Sequence, residues 1–307
     1  EPVVAKPDGT VRLATYNIEW LGEAQALERL KNLREVTRQL NADIVGLEEV
    51  QSANAVKVFF GDDYNVAVPQ NDEKQNLGIA VRKPYELKKW SLVYQDAKDD
   101  FAFPGTRDLL HAVIGTPNGK TLDVFVMHFK SRRGGRLQTD PQREQAAGLV
   151  VKELKRGNYA NAAVVGDFND TPDDRMANIM ESGDEKKAAG KEKGTFMVNL
   201  TEPLARADFV SLEVYELYKG KPIKPIAHGA YEDNERLRGK DYKYPDDVKV
   251  KQSFFDQILV TPNLYRGKAN VFANECAVRG KRSNDATRGL ASDHCPVYAD
   301  IPLSSLK

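Results

Sequence analysis

Apolar residues recur along this chain in two rhythms. Short apolar runs, alternating or continuous and bounded by polar residues, predict buried strands at 11–17, 43–50, 64–69, 77–82, 109–115, 121–128, 161–166, 254–260 and 296–301. Helical spacing appears in longer stretches. Leu27, Leu30, Leu33, Val36 and Leu40 share one side of a helix over 25–40, with Arg, Lys and Glu between them. Ala146, Ala147, Leu149, Val150 and Leu154 do the same over 141–156, with Pro141 in the first turn. Thr171-Pro172-Asp173-Asp174 predicts a further helix start: a hydroxyl cap, Pro in the first turn, and acids near the positive helix end.

Strands outnumber helices and short turns join many of them. That predicts packed α+β layers, not a regularly alternating parallel sheet. With no internal repeat and no clean linker, residues 1–307 read as one domain. Two stretches lack any period and predict surface insertions: 183–194, charged and small-residued, and 219–252, rich in Lys, Asp, Tyr, Gly and Pro. The second stands just before an apolar strand and could shape access to a cleft.

Composition changes this picture little. Hydrophobic residues at 41% and charged residues at 29% are ordinary for a globular chain. No apolar run reaches the roughly 18 residues that a membrane-spanning helix needs. The 45 basic and 45 acidic residues cancel to +0, which excludes a simple basic coat for nucleic acid. They leave room for a metal-dependent nuclease, whose central acids and flanking bases cancel in the sum. Four His, with no HExxH and no paired-cysteine motif, argue against zinc hydrolases. Cys276 and Cys295 would bridge in an exported protein, but small-hydrophobe packing predicts two buried thiols. The chain begins at Glu1 without Met, and no basic start precedes an apolar stretch, so any leader is expected to be gone.

Chemistry-bearing side chains collect where the strands end. Asn17 closes the first. Glu48 and Glu49 follow the second, and alternation sends them to opposite faces, so at most one should reach a cleft. His128 ends the run LDVFVM. Asp167 and Asn169 flank Phe168 and fall on one side if the chain stays extended, an oxygen-rich pair suited to hard cations and activated water. Asp256 is an acid inside an apolar strand and needs a partner. Asp293-His294, before the last strand, is a natural acid–base element. Each signal has a bland reading as a turn former, a hydrogen-bonded His or a solvated acid.

Taken in order, the blocks TYNIEW, GLEEV, HFKS, GDFND, FFDQILV and SDHCPV resemble the endonuclease/exonuclease/phosphatase superfamily, across residues 15 to 297. That superfamily includes pancreatic-type deoxyribonucleases, apurinic endonucleases, sphingomyelinases and inositol polyphosphate phosphatases. GDFN and SDHCPV are the most specific blocks, and HFKS is similar to bacterial extracellular nucleases inferred from sequence. The resemblance implies an α+β fold, a four-layer α/β/β/α sandwich of two mostly antiparallel sheets flanked by helices. It implies a metal-dependent phosphodiesterase, most of all an endonuclease-like hydrolase acting on DNA or RNA, DNA favoured. Mg²⁺ is the implied cofactor, with Mn²⁺ or Ca²⁺ as alternatives.

The resemblance also implies residue roles. Asn17, Glu49 and Asp293 would sit at the metal, while Glu48 occupies a position where many relatives carry Gln. Asp167 would prepare the attacking water and Asn169 would hydrogen-bond the scissile phosphate. His294 would contact the phosphate and manage protons, with Asp256 holding its tautomer. His128 would be the general acid for the leaving oxygen. Arg107, in GTRDLLHAV, would clamp non-bridging oxygens. In HFKSRRGGR, Lys130, Arg132, Arg133 and Arg136 would grip flanking phosphates from a loop loosened by Gly134-Gly135.

Two alternatives stay open. One is the same chemistry on a lipid head group or small phosphoester. The charged insertions lack an apolar docking loop, and Asp170-Thr171 departs from the GDFNxR pattern of inositol phosphatases. The other is an inactive binding domain, although no expected acid or terminal His is missing. Export, to an extracytoplasmic or secreted location, is suggested by HFKS and the missing Met, with the cytoplasm as the alternative. Nothing predicts an obligate protein partner.

Overall fold

The structure, a computed structural model, describes residues 3–69, 74–105, 107–133, 135–187, 194–207, 209, 211–213, 217–218, 221–222, 252–272 and 291–307. Twelve strands form two six-stranded sheets. In chain order they are β1 (Thr10–Leu21), β2 (Ile44–Val50), β3 (Tyr64–Ala67), β4 (Asn76–Arg82), β5 (Glu86–Val93), β6 (Leu109–Gly115), β7 (Thr121–His128), β8 (Ala162–Asp167), β9 (Val198–Asn199), β10 (Asp256–Val260), β11 (Lys268–Val271) and β12 (Val297–Pro302). One sheet runs β11-β12-β1-β2-β4-β3 and the other β5-β6-β7-β8-β10-β9. Each holds one parallel pair, β1 with β2 and β7 with β8, and the remaining pairs are antiparallel.

Period-two burial dictates the layering. Leu13, Ile44, Ile79, Val124, Val126, Val165 and Ile258 fill the space between the sheets. Their neighbours point outward: Ala14, Val45 and Leu47 meet helices on one side, and Phe125, Met127 and Val164 meet helices on the other. The first side is covered by α1 (Glu23–Glu28), α2 (Leu30–Leu40) and α3 (Ala53–Phe60), the second by α4 (Arg136–Gly157) and α5 (Arg175–Ser182). A short α6 (Glu202–Arg206) follows β9. This is the expected four-layer sandwich.

Gly46 sets how closely the sheets approach. A Cβ there would stand 2.7 Å from Val165 Cγ2 and 3.1 Å from Val126 Cγ2 across the gap. Gly46→Ala is therefore expected to destabilise the fold by about 1–3 kcal/mol, as overpacking does. Urea unfolding checks this, and an unchanged midpoint would show that the sheets can part freely.

Several local readings change. The helix expected over 25–40 is broken at Arg29, whose ψ of 6° separates α1 from α2. The helix at 141–156 begins earlier, at Arg136, so Pro141 lies inside it and not in its first turn. At the third helix Asp174, not Thr171, is the capping residue, and the Thr171 N–H and hydroxyl both donate to Asp174 Oδ2. Strand β5 carried no sequence signal because most of it is exposed, so nothing forces alternation. Cys295 is disulfide-bonded, which corrects the expectation of free thiols. Cys276 lies outside the described residues, as do 188–193 and most of 219–252. No helix among the described residues is long and apolar enough to cross a membrane.

Candidate active site

The two parallel pairs decide where the site forms. β1, β2, β7 and β8 all deliver their C-terminal residues to one edge of the sandwich. Asn17, on the inner face with Leu13 and Thr15, reaches across: its Nδ2 donates to Asp167 Oδ2 at 3.1 Å and to Glu49 Oε1 at 3.2 Å. β10 runs antiparallel to β8 with Asp256 opposite Asp167, so Asp256 enters at the same level. Residues 291–296 complete the edge. Ser292 Oγ donates to the Asn17 carbonyl at 2.7 Å and accepts the His294 N–H at 3.1 Å.

Glu48 and Glu49 do not diverge as strict alternation requires. Glu48 keeps the inner orientation and is fully buried, accepting a hydrogen bond from Thr15 Oγ1 at 2.8 Å. Its other oxygen has no hydrogen-bond partner among the described residues. Burial, then the Asp256 charge, push its carboxyl well above the usual range. Glu49 has φ +59, a left-handed backbone that ends the alternation and turns its carboxylate into the site. There Oε2 accepts the Trp20 N–H at 3.1 Å and Oε1 stands 3.9 Å from His128 Nε2.

Asp167 Oδ2 is the point of convergence. Besides Asn17, it has His128 Nε2 at 3.5 Å and His294 Nε2 at 3.7 Å. Its Oδ1 accepts the Asn169 N–H at 2.9 Å. Burial pushes this carboxyl up to about 7, with His294 pulling it down and Asp256 pushing it up. Asn169 adopts φ +52, so the chain turns after Phe168 instead of staying extended. The turn still leaves its amide near the site, donating to the Phe129 carbonyl at 3.0 Å.

The two histidines are shifted in opposite directions. Burial alone would lower His294, but Asp256, bonded to its Nδ1 at 2.8 Å, raises it well above the ordinary value together with Asp167 and Asp293. Burial lowers His128 well below that value, and the positive charges of Arg107 and His294 add to it. Arg107 is itself lowered by burial and stabilised by the charges of Glu49 and Asp167. Lys130 is lowered by burial and then by Arg107 and Arg143. The structure brings Asn17, Glu49, Arg107, His128, Lys130, Asp167, Asn169, Asp256, Asp293 and His294 to this one edge of the sandwich.

Residues 15–218 match the Endonuclease/Exonuclease/phosphatase family. The chain belongs to that family. Asn17, Glu49, Arg107, His128, Lys130, Asp167 and Asn169 lie within the family match, and Asp256, Asp293 and His294 lie beyond it. No curated protein sequence matches the chain. Among solved structures, truncated Caenorhabditis elegans TDP2 superposes with a TM-score of 0.61 at 15% identity, covering 95% of this chain and 97% of that one. D. rerio TDP2, complexed with a single-strand DNA product, gives 0.61 at 18% identity, covering 96% and 99%. The human Nocturnin catalytic domain, with a bound sulfate anion, gives 0.56 at 14% identity, covering 97% and 96%. At these identities the likeness is one of fold.

Within this family frame, one group of residues departs from its expected place. Arg132 and Arg136 are 3% and 2% exposed, so neither can grip flanking phosphates. They are consumed by acids in and just after the GDFND block: Arg132 pairs with Asp170 and Asp174, and Arg136 with Asp174. Arg133 remains exposed, and Gly134 lies outside the described residues. The sequence could not show the acids, 38 and 42 residues on, that bury these cations.

Two residues were missed. Glu19 is raised to about 8, by burial first and then by Asp293, and Oε2 has no hydrogen-bond partner among the described residues. Its signal was present: Glu19 stands two residues after Asn17 at a strand end. Arg29 is 1% exposed and donates to the carbonyls of Ile18, Glu19 and Ala291 at 3.3, 2.9 and 2.9 Å, tying β1 to the segment that carries His294. Its signal was hidden by an ordinary helical spacing.

Proposed function

We propose that this protein is a metal-dependent phosphodiesterase that hydrolyses nucleic acid, DNA ahead of RNA, with endonucleolytic attack ahead of exonucleolytic. The observation that supports it most is the convergence of Asn17, His128 and His294 on one oxygen of Asp167, with Arg107 and Lys130 alongside. A phosphodiester is anionic, so a site for it needs both cations for its oxygens and a base for water. The likeness to D. rerio TDP2, complexed with a single-strand DNA product, favours nucleic acid over a lipid head group.

The donors fit a hard cation. Among the described residues no three His, Cys, Asp or Glu side chains lie close enough to cage a metal by themselves. Mg²⁺ does not need such a cage, since it keeps several waters and takes one or two carboxylates. Glu49 is raised by burial and then by Asp293, a repulsion that a dication would relieve. Asn17, Glu49 and Asp293 would hold it, with Mn²⁺ or Ca²⁺ as substitutes. When bound, it would neutralise phosphate charge and polarise the phosphorus–oxygen bond.

The residues divide the remaining work. Asp167 Oδ2 takes the proton of the attacking water. Arg107 and Lys130 hold non-bridging oxygens, and Asn169 donates to the scissile phosphate. His294, held charged by Asp256, is the better proton donor to the leaving oxygen, the place that the family resemblance gives to His128. His128, held neutral, orients water and phosphate beside Asp167. The disulfide at Cys295 supports a location outside the cytoplasm, where such bonds persist.

The test is supercoiled plasmid with Mg²⁺ or Mn²⁺, with and without chelator, for the intact chain and His294→Ala. Nicking is expected with metal, to vanish with chelator, and to fall roughly 10²–10⁴-fold in the variant, the range for a lost acid–base group. No nicking under any metal, with cleavage of sphingomyelin, phosphoinositide or bis-p-nitrophenyl phosphate, would transfer the same chemistry to another phosphoester. Silence on all of them would leave an inactive binding domain.

A further inference from the structure

Behind the site lies a buried cluster of ion pairs that the proposed chemistry does not use. Arg143 is fully buried and pairs with Asp170 through Nε at 2.8 Å and with Asp140. Arg132 pairs with Asp170 at 3.0 Å and Asp174 at 2.8 Å, and its guanidinium lies over the Phe255 ring at 4.8 Å. Burial alone would raise Asp174, but Arg136 and Arg132 outweigh it and hold the carboxyl below its usual range.

Two of these arginines also hold site backbone. Arg132 Nε donates to the Asn169 carbonyl at 3.0 Å, and Arg143 Nη1 donates to the Lys130 carbonyl at 2.8 Å. The strap around them is dense: Gln257 Nε2 donates to the Asp170 carbonyl at 2.7 Å, and Phe168 N–H to the Phe255 carbonyl at 2.8 Å. The loop after β7 and the loop after β8 are thereby locked to each other. These loops carry Lys130 and Asn169.

We propose that Arg132 is a positioning residue, fixing the Asn169 turn against the loop after His128 so that Asn169 and Lys130 present to phosphate in one geometry. This rests on the phosphodiesterase reading. At 3% exposure Arg132 cannot touch substrate itself. A buried ion cluster is a weak source of net stability, because desolvation offsets its attraction. A planar guanidinium fork supplies direction instead, holding a carbonyl and two carboxylates at fixed angles, which a lysine ammonium cannot do. Reaction rates are sensitive to displacements of about 1 Å at such groups. Arg136, by contrast, reaches Asp174 and Asp140 on the far side of the cluster.

The experiment compares Arg132→Lys with Arg136→Gln in the full chain. Melting temperature, kcat and KM on plasmid and on bis-p-nitrophenyl phosphate, and hydrogen–deuterium exchange over 128–133 and 167–171 are measured. Arg132→Lys is expected to lower kcat about 30-fold or more with KM within about threefold, and to speed exchange in both segments. Arg136→Gln is expected to melt earlier yet keep kcat within about threefold. Should Arg132→Lys not fold, Asp170→Asn keeps the side-chain shape and is expected to show the same kcat loss and faster exchange. Unchanged kcat and exchange in a folded Arg132→Lys would overturn the proposal, as would activity losses in both variants that merely track melting. If the intact chain hydrolyses neither substrate, the phosphodiesterase reading fails separately. Exchange then decides alone, and unchanged protection in the variant overturns the positioning role.

Discussion

Asp167→Asn is expected to abolish most metal-dependent phosphodiester hydrolysis while leaving the fold in place. The substitution is isosteric. The amide oxygen can still accept the Asn169 N–H that now bonds Oδ1 at 2.9 Å, so the turn survives. What disappears is the charge at Oδ2, the atom that Asn17, His128 and His294 surround. An amide cannot take a proton from water, so a loss of roughly 10²–10⁴ in kcat is expected for removal of a general base. KM should change far less, because Arg107 and Lys130 keep their charges. Steady-state kinetics on plasmid with Mg²⁺, beside a melting curve, makes the check. A variant retaining more than about a tenth of kcat would remove Asp167 from the base role.

Gly166→Ala is expected to have the largest effect on stability. Gly166 stands one residue before Asp167, opposite Met127 in the parallel β7–β8 pair. Its φ is +153, a conformation that L side chains rarely adopt, and a Cβ there would lie 1.8 Å from the Met127 carbonyl oxygen. Backbone cannot yield as a methyl group can. The strands must separate at the point where they deliver His128 and Asp167. A loss above about 4 kcal/mol, or no folded protein at 25 °C, is expected, in the range reserved for broken backbone geometry. Gly46→Ala meets flexible methyls and should cost less. Urea unfolding of the two variants tests the ranking, and a Gly166→Ala protein within about 1 kcal/mol of the parent would show that the strand register is not fixed there.

The sequence by itself determined the layers and pointed to much of the candidate site. Short apolar runs, alternating or continuous, marked nine of the twelve sheet strands, because most of these strands are buried on both faces, between the sheets and under the helices. Polar residues ending several of those runs are the ones that gather at the candidate site, since only strand ends escape the core. The buried Asp256 demanded a partner on energetic grounds, and His294 meets it at 2.8 Å. Tertiary structure alone decided the rest. Glu49 enters the site through a left-handed backbone that composition does not encode, and the same holds for the Asn169 turn. Arg132 and Arg136 look like solvated cations until Asp170 and Asp174 fold against them. The two histidines are chemically identical in the chain. Their opposite shifts arise because burial, then Arg107 and His294, lowers His128, while three acids outweigh burial at His294, and such fields exist only once distant strand ends share one low-dielectric edge.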